Sequence, residues 1–550
     1  MEQLIHNGIL IPKYEHKKLH IFVKGKKIDL TPQQEEIAVA WARKLDTEYV
    51  KDPVFVKNFF RDFRKALNFK GKVLPEAFDF SVVRDYVLNE RERKLNLTRE
   101  ERKNLAQQRK ALREANKERY GYAIVNGVKV EISNYVVEPP SIFMGRGKHP
   151  LRGRWKSGAV EEDVILNLSP DAPIPEGRWK KIVWEPNSMW VAKWRDKLRG
   201  KMKYIWLSEA SSIRQEREVE KYDMANELGS QISKVRAYIW SYLQSEDPFV
   251  KKIATVSYLI DTLSLRVGDE KDRDEANTVG ATTLRPNHIK IKGDGGAVFS
   301  FLGKDAVRWR KKTKLPELVT KNLREFIAEA KSTIFSGIGS KDVNLFLGEA
   351  MPGLTAKVFR THHASSAVRS HLTGAKVSKS DPDHYKNYVA TIANLQAAIV
   401  CNHKKKVSDN WSRVLHKRQE AVRKSEDRLI KRKNKVMMRR ERIKQLYAKR
   451  EDAKPKRRKT ITERVKKEKR RLQKDLERLS KAKEKVDEKK TKVTLMKETK
   501  GYNLNTSLKS YIDPRIYYEW SKEIGFDWKL YYPKALQRKF SWVDNSSPTQ

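Results

Sequence analysis

Cysteine is almost missing: Cys401 is the single one in 550 residues. That excludes an intrachain disulfide and any cysteine-rich zinc site, and it fits a reducing compartment. Long apolar runs are missing too. No stretch approaches the 18 uninterrupted apolar residues of a membrane helix. The opening MEQLIHNGILIPKYEHKK lacks the basic-then-apolar order of a secretory signal. Nucleotide and metal loops are also absent. FLGKDA comes nearest to a phosphate-cradling GxxxxGK[ST], but it lacks the first glycine spacing and the final hydroxyl. GRGKHP has close glycines without the strand before and the helix after that a dinucleotide fingerprint needs. Neither HExxH, an EF-hand loop nor a His/Cys zinc spacing occurs. The one acidic knot, RVGDEKDRDE at 266–275, mixes signs and reads as a helix end or an exposed loop. These absences predict a soluble, intracellular protein that does not use ATP.

Positive charge is what the chain has in excess. Lys and Arg total 118 against 70 Asp and Glu, a net +48 with a pI near 10.0. A surface that only needed solubility would mix both signs, so a polyanionic partner, nucleic acid, is the better account. With 39% hydrophobic residues and 13 Trp, most of the chain has enough apolar surface to fold. Its length calls for more than one domain.

The pattern predicts a multidomain α+β chain. Residues 1–211 alternate strand-like and helix-like pieces. LHIFVKGKKIDLTPQQEEIAVAWARKL reads as strand, glycine turn, strand, then a helix opening after Thr31-Pro32. Thr98 and Glu101 are spaced as a capping box for a charged helix. Residues 212–405 read as mainly helical, with one hairpin in GGAVFSFLGKDAVRWRKK whose turn lies near Gly303 and Lys304. Residues 406–498 are a charged tract. Leu415, Val422, Leu429, Val436 and Ile443 recur every seven residues, and Val465, Leu472, Leu479, Val486 and Val493 do so after Pro455. Two long helices with a thin apolar seam, turning back at EDAKPKRRK, account for this pattern as an antiparallel coiled-coil linker. The span from 404 to 500 holds about 40 basic and about 15 acidic residues, roughly half the net charge. Such an arm can lie along a phosphate backbone without reading bases. Residues 499–550 form an aromatic-rich terminal unit, and an out-and-back arm returns Tyr511 near His403.

Phosphoryl transfer without a metal needs fixed cations around the non-bridging oxygens, a nucleophile and a proton donor for the leaving oxygen. The candidates are Arg266 in LSLRVGDE, Lys304 in FLGKD, Arg360 in LTAKVFRTHHASS, His403 in CNHKKK and Tyr511 in SYIDPR. Arg suits two phosphate oxygens better than Lys because its fork is planar and bidentate. Taken singly, each also fits an ordinary structural role. Arg266 reads as a salt-bridged residue in an apolar helix, and His403 as a helix-end histidine.

Taken as a group and in this order, these residues make the chain resemble the eukaryotic-type type IB DNA topoisomerases. The likeness runs through KNFFRDFRK, VEPPSIFMGRGKHP, LSLRVGDEK, FLGKD, GLTAKVFRT, CNHK, the charged linker and SLKSYIDPRI. It implies a DNA clamp with a mixed α/β cap and a helical catalytic domain like that of the tyrosine recombinases. It implies Tyr511 as nucleophile, Arg266, Arg360 and His403 around the pentacoordinate phosphorus, and Lys304 as donor to the leaving 5′ oxygen. Double-stranded DNA contacts fall on Arg146, Lys148, Lys271, Thr278, Lys357, Thr506 and Ser510. The reaction implied is a transient nick with a 3′-phosphotyrosine, strand rotation and religation, by a monomer with no ATP and no obligatory metal. No dedicated base for Tyr511 stands out, so water or Arg-assisted deprotonation is expected. Two departures are visible. THHAS stands where a Tyr-Asn pair is usual, and Ser510 stands where nuclear members carry Asn. A long charged N-terminal tail is also lacking, which points to a shortened chain or an archaeal relative, with the archaeal reading preferred. The location expected is then cytoplasmic and nucleoid-associated, or nuclear if the source is eukaryotic.

Three other readings compete. An architectural DNA-binding protein explains the charge but gives Tyr511 no task. A tyrosine recombinase shares the chemistry but does not usually carry a long linker before the nucleophile. An RNA-binding protein would show a repeated aromatic platform, and none is visible. Because the family's camptothecin-type poisons stack beside the position of Ser510, weaker poisoning is expected in a DNA cleavage assay. Ordinary sensitivity there refutes that expectation.

Overall fold

Lys24 and Gly25 both take positive φ, 49° and 76°, and this lets the strands His20–Val23 and Lys26–Asp29 meet through a two-residue turn. Thr31 then caps the helix Pro32–Ala42. Its hydroxyl accepts from the Gln34 amide while the Gln34 side chain accepts from the Thr31 amide. Thr98 and Glu101 do the same for the helix Arg99–Tyr120, which buries none of its residues. The computed structural model describes residues 1–69, 73–145, 149–268, 279–293, 295–303 and 307–545. It divides into two compact units. One comprises Met1–Glu220, Glu270–Val279 and Leu302–Ala306, and the other Lys221–Asp269, Gly280–Phe301 and Val307–Gln550.

The first unit has two apolar cores. In one, the helix Pro53–Ala66 turns Phe55, Phe59 and Phe63 inward at a four-residue spacing, and Phe59 stacks on Trp41 at 4.2 Å. A fully buried carboxylate, Glu35, ties the preceding chain to this core. It accepts from the Tyr14 hydroxyl at 2.9 Å and from the Lys17 and Leu19 amides at 2.6 Å each. The second core lies under a four-stranded sheet ordered Lys181–Val183, Ile165–Asn167, Trp190–Arg195, Met202–Trp206. A three-stranded sheet of Leu4–His6, Tyr122–Val125 and Val128–Glu131 shares it.

The second unit is mostly helical. Among the described residues its one sheet places Gly296–Gly303 between Ile289–Ile291 and Val307–Lys314, so the expected hairpin gains a third strand. The turn with Lys304 lies outside the described residues. The helices Ala356–Gly374 and Asp383–Val400 pack together, and the small side chains of Ala364 on one and Ala390, Ala393 and Ala397 on the other lie in their shared core. That core also takes in Leu508, Ile512, Ile516, Tyr517, Trp520 and Phe540 from the last fifty residues. The terminal segment is therefore part of the second unit's packing.

Between these parts run the long helices Trp411–Glu451 and Pro455–Glu498. They are antiparallel: Arg439 meets Asp475 at 2.7 Å, and Lys490 meets Glu426 at 2.7 Å. Val436, Ile443, Val465 and Val486 of the expected seams are buried, while Leu415, Val422, Leu429, Leu472, Leu479 and Val493 are half-covered. Heptad counting misses the polar half of this contact. Asp475 and Glu468 stand between seam positions, covered by neighbouring side chains, and Arg439 bonds both. Among the described residues no helix is long and apolar enough to cross a membrane.

Arg266 is not inside a helix, as LIDTLSLRVG suggested. The helix Pro248–Leu263 stops because Ser264 takes the left-handed conformation at φ 54°, leaving Arg266 in the extended segment that follows. That segment is pinned by the neighbouring stretch of chain: the Ala281 amide donates to the Arg266 carbonyl at 2.8 Å, and the Thr282 amide to the Val267 carbonyl at 2.9 Å. Here Gly268, at φ +87°, crosses Gly280 so closely that a Cβ on Gly280 would stand 2.4 Å from the Gly268 Cα. No side chain fits between these backbones. Gly280→Ala is expected to cost about 1–3 kcal/mol of stability, read as a lower urea midpoint with an unchanged slope.

Candidate active site

Four side chains far apart in sequence converge within the second unit. Arg266 arrives on the strut just described. Arg360 lies in the second turn of the helix Ala356–Gly374 and is almost wholly buried. His403 follows the end of the helix Asp383–Val400, where Asn402 at φ 50° turns the chain and the His403 amide donates back to the Ala398 carbonyl at 2.8 Å. Tyr511 closes the short helix Leu504–Ser510, its amide donating to the Ser507 carbonyl at 2.9 Å. The root of the helical hairpin brings these last two together. The Lys405 amide donates to the Gly501 carbonyl, and the Asn503 amide to the His403 carbonyl, each at 2.7 Å.

Arg266 Nη1 donates to the Tyr511 hydroxyl at 2.8 Å. The Arg360 guanidinium carbon stands 5.0 Å from the centre of the Tyr511 ring, and the His403 ring centre 5.2 Å from it. Arg360 donates to the carbonyls of Ser264 and Cys401 and, at 3.2 Å, to His403 Nε2. Its Nε is a buried donor with no hydrogen-bond partner among the described residues. Two guanidinium groups thus share one pocket with a phenol, and their charge governs both ionisable neighbours. Burial alone would raise the Tyr511 phenol, but the charges of Arg360 and Arg266 outweigh it and hold the group below its ordinary value. For His403, burial and the same two cations act together and push it down to about 3. His403 is therefore a neutral imidazole at pH 7.

The Tyr511 backbone is clamped as well. Ser365 Oγ donates to the Tyr511 carbonyl at 3.3 Å and accepts from the Asp513 amide at 3.0 Å. Asp513 caps the next helix and is held by Arg515, which also reaches Asp223 at 2.7 Å. Ser365 belongs to the THHASS stretch, and the histidines there now have an account. His363 Nε2 meets the Asp261 carboxylate at 2.8 Å, and Arg236 bonds both oxygens of the same group. His362 Nδ1 lies 3.3 Å from the Ala225 carbonyl. These bonds fasten the helix that carries Arg360 to its two neighbours.

Of the residues expected from sequence, Arg266, Arg360, His403 and Tyr511 come together, while Lys304 lies outside the described residues. So do Arg146, Lys148, Lys271 and Thr278, and most of the acidic knot, from 269 to 275. Lys357 is exposed on the first turn of the Arg360 helix, and Thr506 and Ser510 are half-buried on the Tyr511 helix. Ser365, Ser507, Asp261 and Arg236 were not picked out. Their types and local spacing carry no signal, since each acts through a partner more than 20 residues away. Among the described residues no three His, Cys, Asp or Glu side chains gather as a metal site.

Arg360→Lys leaves one positive charge but too few donors for the carbonyls, the imidazole and a ligand. For the DNA strand cleavage that the resemblance implies, the single-turnover rate is expected to slow about 10²–10³-fold. Arg266→Gln should move the Tyr511 phenol upward, read from ¹³Cζ-tyrosine spectra titrated against the Tyr511→Phe variant.

The comparisons with known proteins agree with this grouping. Residues 1–207 match the model described as eukaryotic DNA topoisomerase I, DNA binding fragment, residues 210–436 its catalytic core, and residues 483–549 the C-terminal topoisomerase domain. The chain is 37% identical over 416 residues to DNA topoisomerase 1 beta of Arabidopsis thaliana, covering 74% of this chain and 45% of the relative. It is 34% identical over 437 residues to DNA topoisomerase 1 of Candidozyma auris, covering 77% and 58%. The human DNA topoisomerase 1 is 31% identical over 563 residues, covering 98% of this chain and 70% of the relative. The chain thus spans about half the length of the plant and yeast relatives it matches. With three family matches along its length and an alignment to the human protein over 98% of this chain, the chain belongs to the eukaryotic-type, type IB DNA topoisomerase I family.

Proposed function

We propose that this protein relaxes supercoiled double-stranded DNA by nicking one strand through Tyr511 and resealing it. The observation that carries this is the Tyr511 hydroxyl held at 2.8 Å by Arg266 in a pocket it shares with Arg360 and neutral His403. Such a phenol is easier to ionise than a free tyrosine. It faces cations that a phosphate would satisfy, including the unpartnered Arg360 Nε.

In the forward step the Tyr511 oxygen bonds to a backbone phosphorus as its proton leaves to water, with Arg266 stabilising the phenolate. The bond from phosphorus to the 5′ oxygen breaks, and that oxygen takes up a proton from Lys304, the donor the family resemblance implies. The 3′ end is left as a phosphotyrosine. The free end turns about the intact strand, driven by torsion, and its 5′ hydroxyl reverses the reaction. Arg266, Arg360 and His403 meet the extra negative charge on the five-coordinate phosphorus, the work a divalent ion does elsewhere. The phosphotyrosine keeps the bond energy, so religation needs no ATP. The excess of Lys and Arg, with Lys357, Thr506 and Ser510 near the site, would hold the duplex mainly by its phosphates and make binding steeply salt-dependent. A single chain supplies the whole set, so a monomer suffices. The relatives named above are eukaryotic and favour the nuclear location of the two expected.

Relaxation of a supercoiled plasmid with EDTA present and ATP absent tests this reading. The unmodified protein is expected to relax both positive and negative supercoils, while Tyr511→Phe binds DNA and does not relax it. If neither relaxes DNA while both bind, the protein is an architectural DNA-binding protein.

A further inference from the structure

His403 faces the nucleophile with the wrong ring nitrogen prepared. Arg360 is a donor only, so the contact at 3.2 Å makes His403 Nε2 the acceptor, and a neutral ring must then carry its proton on Nδ1. Nδ1 points to Ser507 Oγ, 2.7 Å away, which accepts that proton's hydrogen bond. In this state Nε2, the nitrogen nearer the cations, has no hydrogen to offer a phosphate oxygen. To help stabilise a five-coordinate phosphorus, the ring must carry a proton on Nε2 instead.

Becoming an imidazolium is the costly way, because the ring is buried, touches Arg360 and also feels the charge of Arg266. Exchanging tautomers is the cheap way. Nε2 takes up one proton from solvent water and Nδ1 returns one to it, so the charge of the ring does not change. The cost then depends on Nδ1, which turns from donor to acceptor in a buried place and needs a partner that can do the reverse. Asn, Gln or a backbone group offers only one role per atom. A hydroxyl offers both and changes role by rotating.

Ser507 is suited to this. Its side chain is fully buried, and its carbonyl accepts from the Tyr511 and Ile512 amides. It sits one helical turn before the nucleophile, so the imidazole and the phenol are referenced to the same turn of backbone. We propose that Ser507 is a positioning residue whose hydroxyl lets His403 exchange the proton-bearing ring nitrogen, Nδ1 in the free protein and Nε2 when a DNA phosphate displaces it from Arg360. This rests on the topoisomerase reading above and assigns within it a residue that touches neither DNA nor the reacting atoms.

Two measurements test it. The first uses ¹⁵N-imidazole-labelled protein, in which protonated and bare ring nitrogens have well-separated shifts. In the free protein His403 is expected to show a protonated Nδ1 and a bare Nε2, with the pattern reversed when Tyr511→Phe protein binds a duplex oligonucleotide. The second is single-turnover cleavage of that duplex by the Tyr511-bearing protein. Ser507→Ala is expected to cleave about ten-fold more slowly with DNA affinity unchanged, and Ser507→Thr, which keeps the hydroxyl, to recover most of the rate. In a His403→Ala background, Ser507→Ala should cost nothing further. A bare Nδ1 in the free protein overturns the proposal, and this first reading needs no catalysis and no substitution. An unchanged rate for Ser507→Ala overturns it as well. So does an equal loss with and without His403, which would mean that the hydroxyl only packs the helix. Failure of the unmodified protein to cleave at all is a different result, because it removes the parent reading.

Discussion

Two guanidinium groups, one buried and one half-buried, share a pocket and repel each other, and among the described residues no carboxylate is bonded to either of them. The arrangement holds because carbonyl oxygens, an imidazole nitrogen and a phenol oxygen take the place of counter-ions. Much of the surrounding structure can be traced to that constraint. Ser264 leaves the helix at positive φ, and Arg360 bonds the carbonyl of that residue. Cys401 ends its helix with its carbonyl facing the same group. The glycine pair at 268 and 280 lets the backbone pass close enough to pin the strand of Arg266. Positive potential kept uncompensated in this way is available to an incoming phosphate.

The parts of the fold that a reader of the sequence can see are those with local causes. Thr31 and Thr98 announce their helices through bonds three residues long. The heptad spacing gives the long helix pair because one apolar seam repeats over several turns. The four described site residues were legible as a family pattern, and the structure supplies the distances between them. The rest depends on partners distant in sequence. Arg266 looked helical because the apolar run continues past Leu263, and nothing local betrays that Ser264 breaks it. Asp475 and Glu468 look like solvated charges until Arg439 of the other helix is seen between them. His363 of THHAS makes sense only with Asp261, a hundred residues earlier, and His362 only with the Ala225 carbonyl, earlier still.

The long helix pair carries much of the positive charge, yet its mechanical part in the site is played at its root. Four backbone groups near 403–405 and 501–503 close it, and Tyr511 follows directly. The seam itself is thin, and its polar contacts sit in a two-helix layer with water close on every side, so their burial is mild. Local opening along the arm can therefore occur without disturbing the terminal core, where Tyr517 and Trp520 are packed against the Asp383–Val400 helix.

Closing the site at that root also sets an order in time. The chain is made from its N-terminus, and Tyr511 comes 108 residues after His403. At ordinary synthesis rates that is a gap of roughly 5–20 s. During it the two arginines and the histidine have been made while no nucleophile exists. Until the arm has been completed and folded back, the pocket of cations has no phenol to hold.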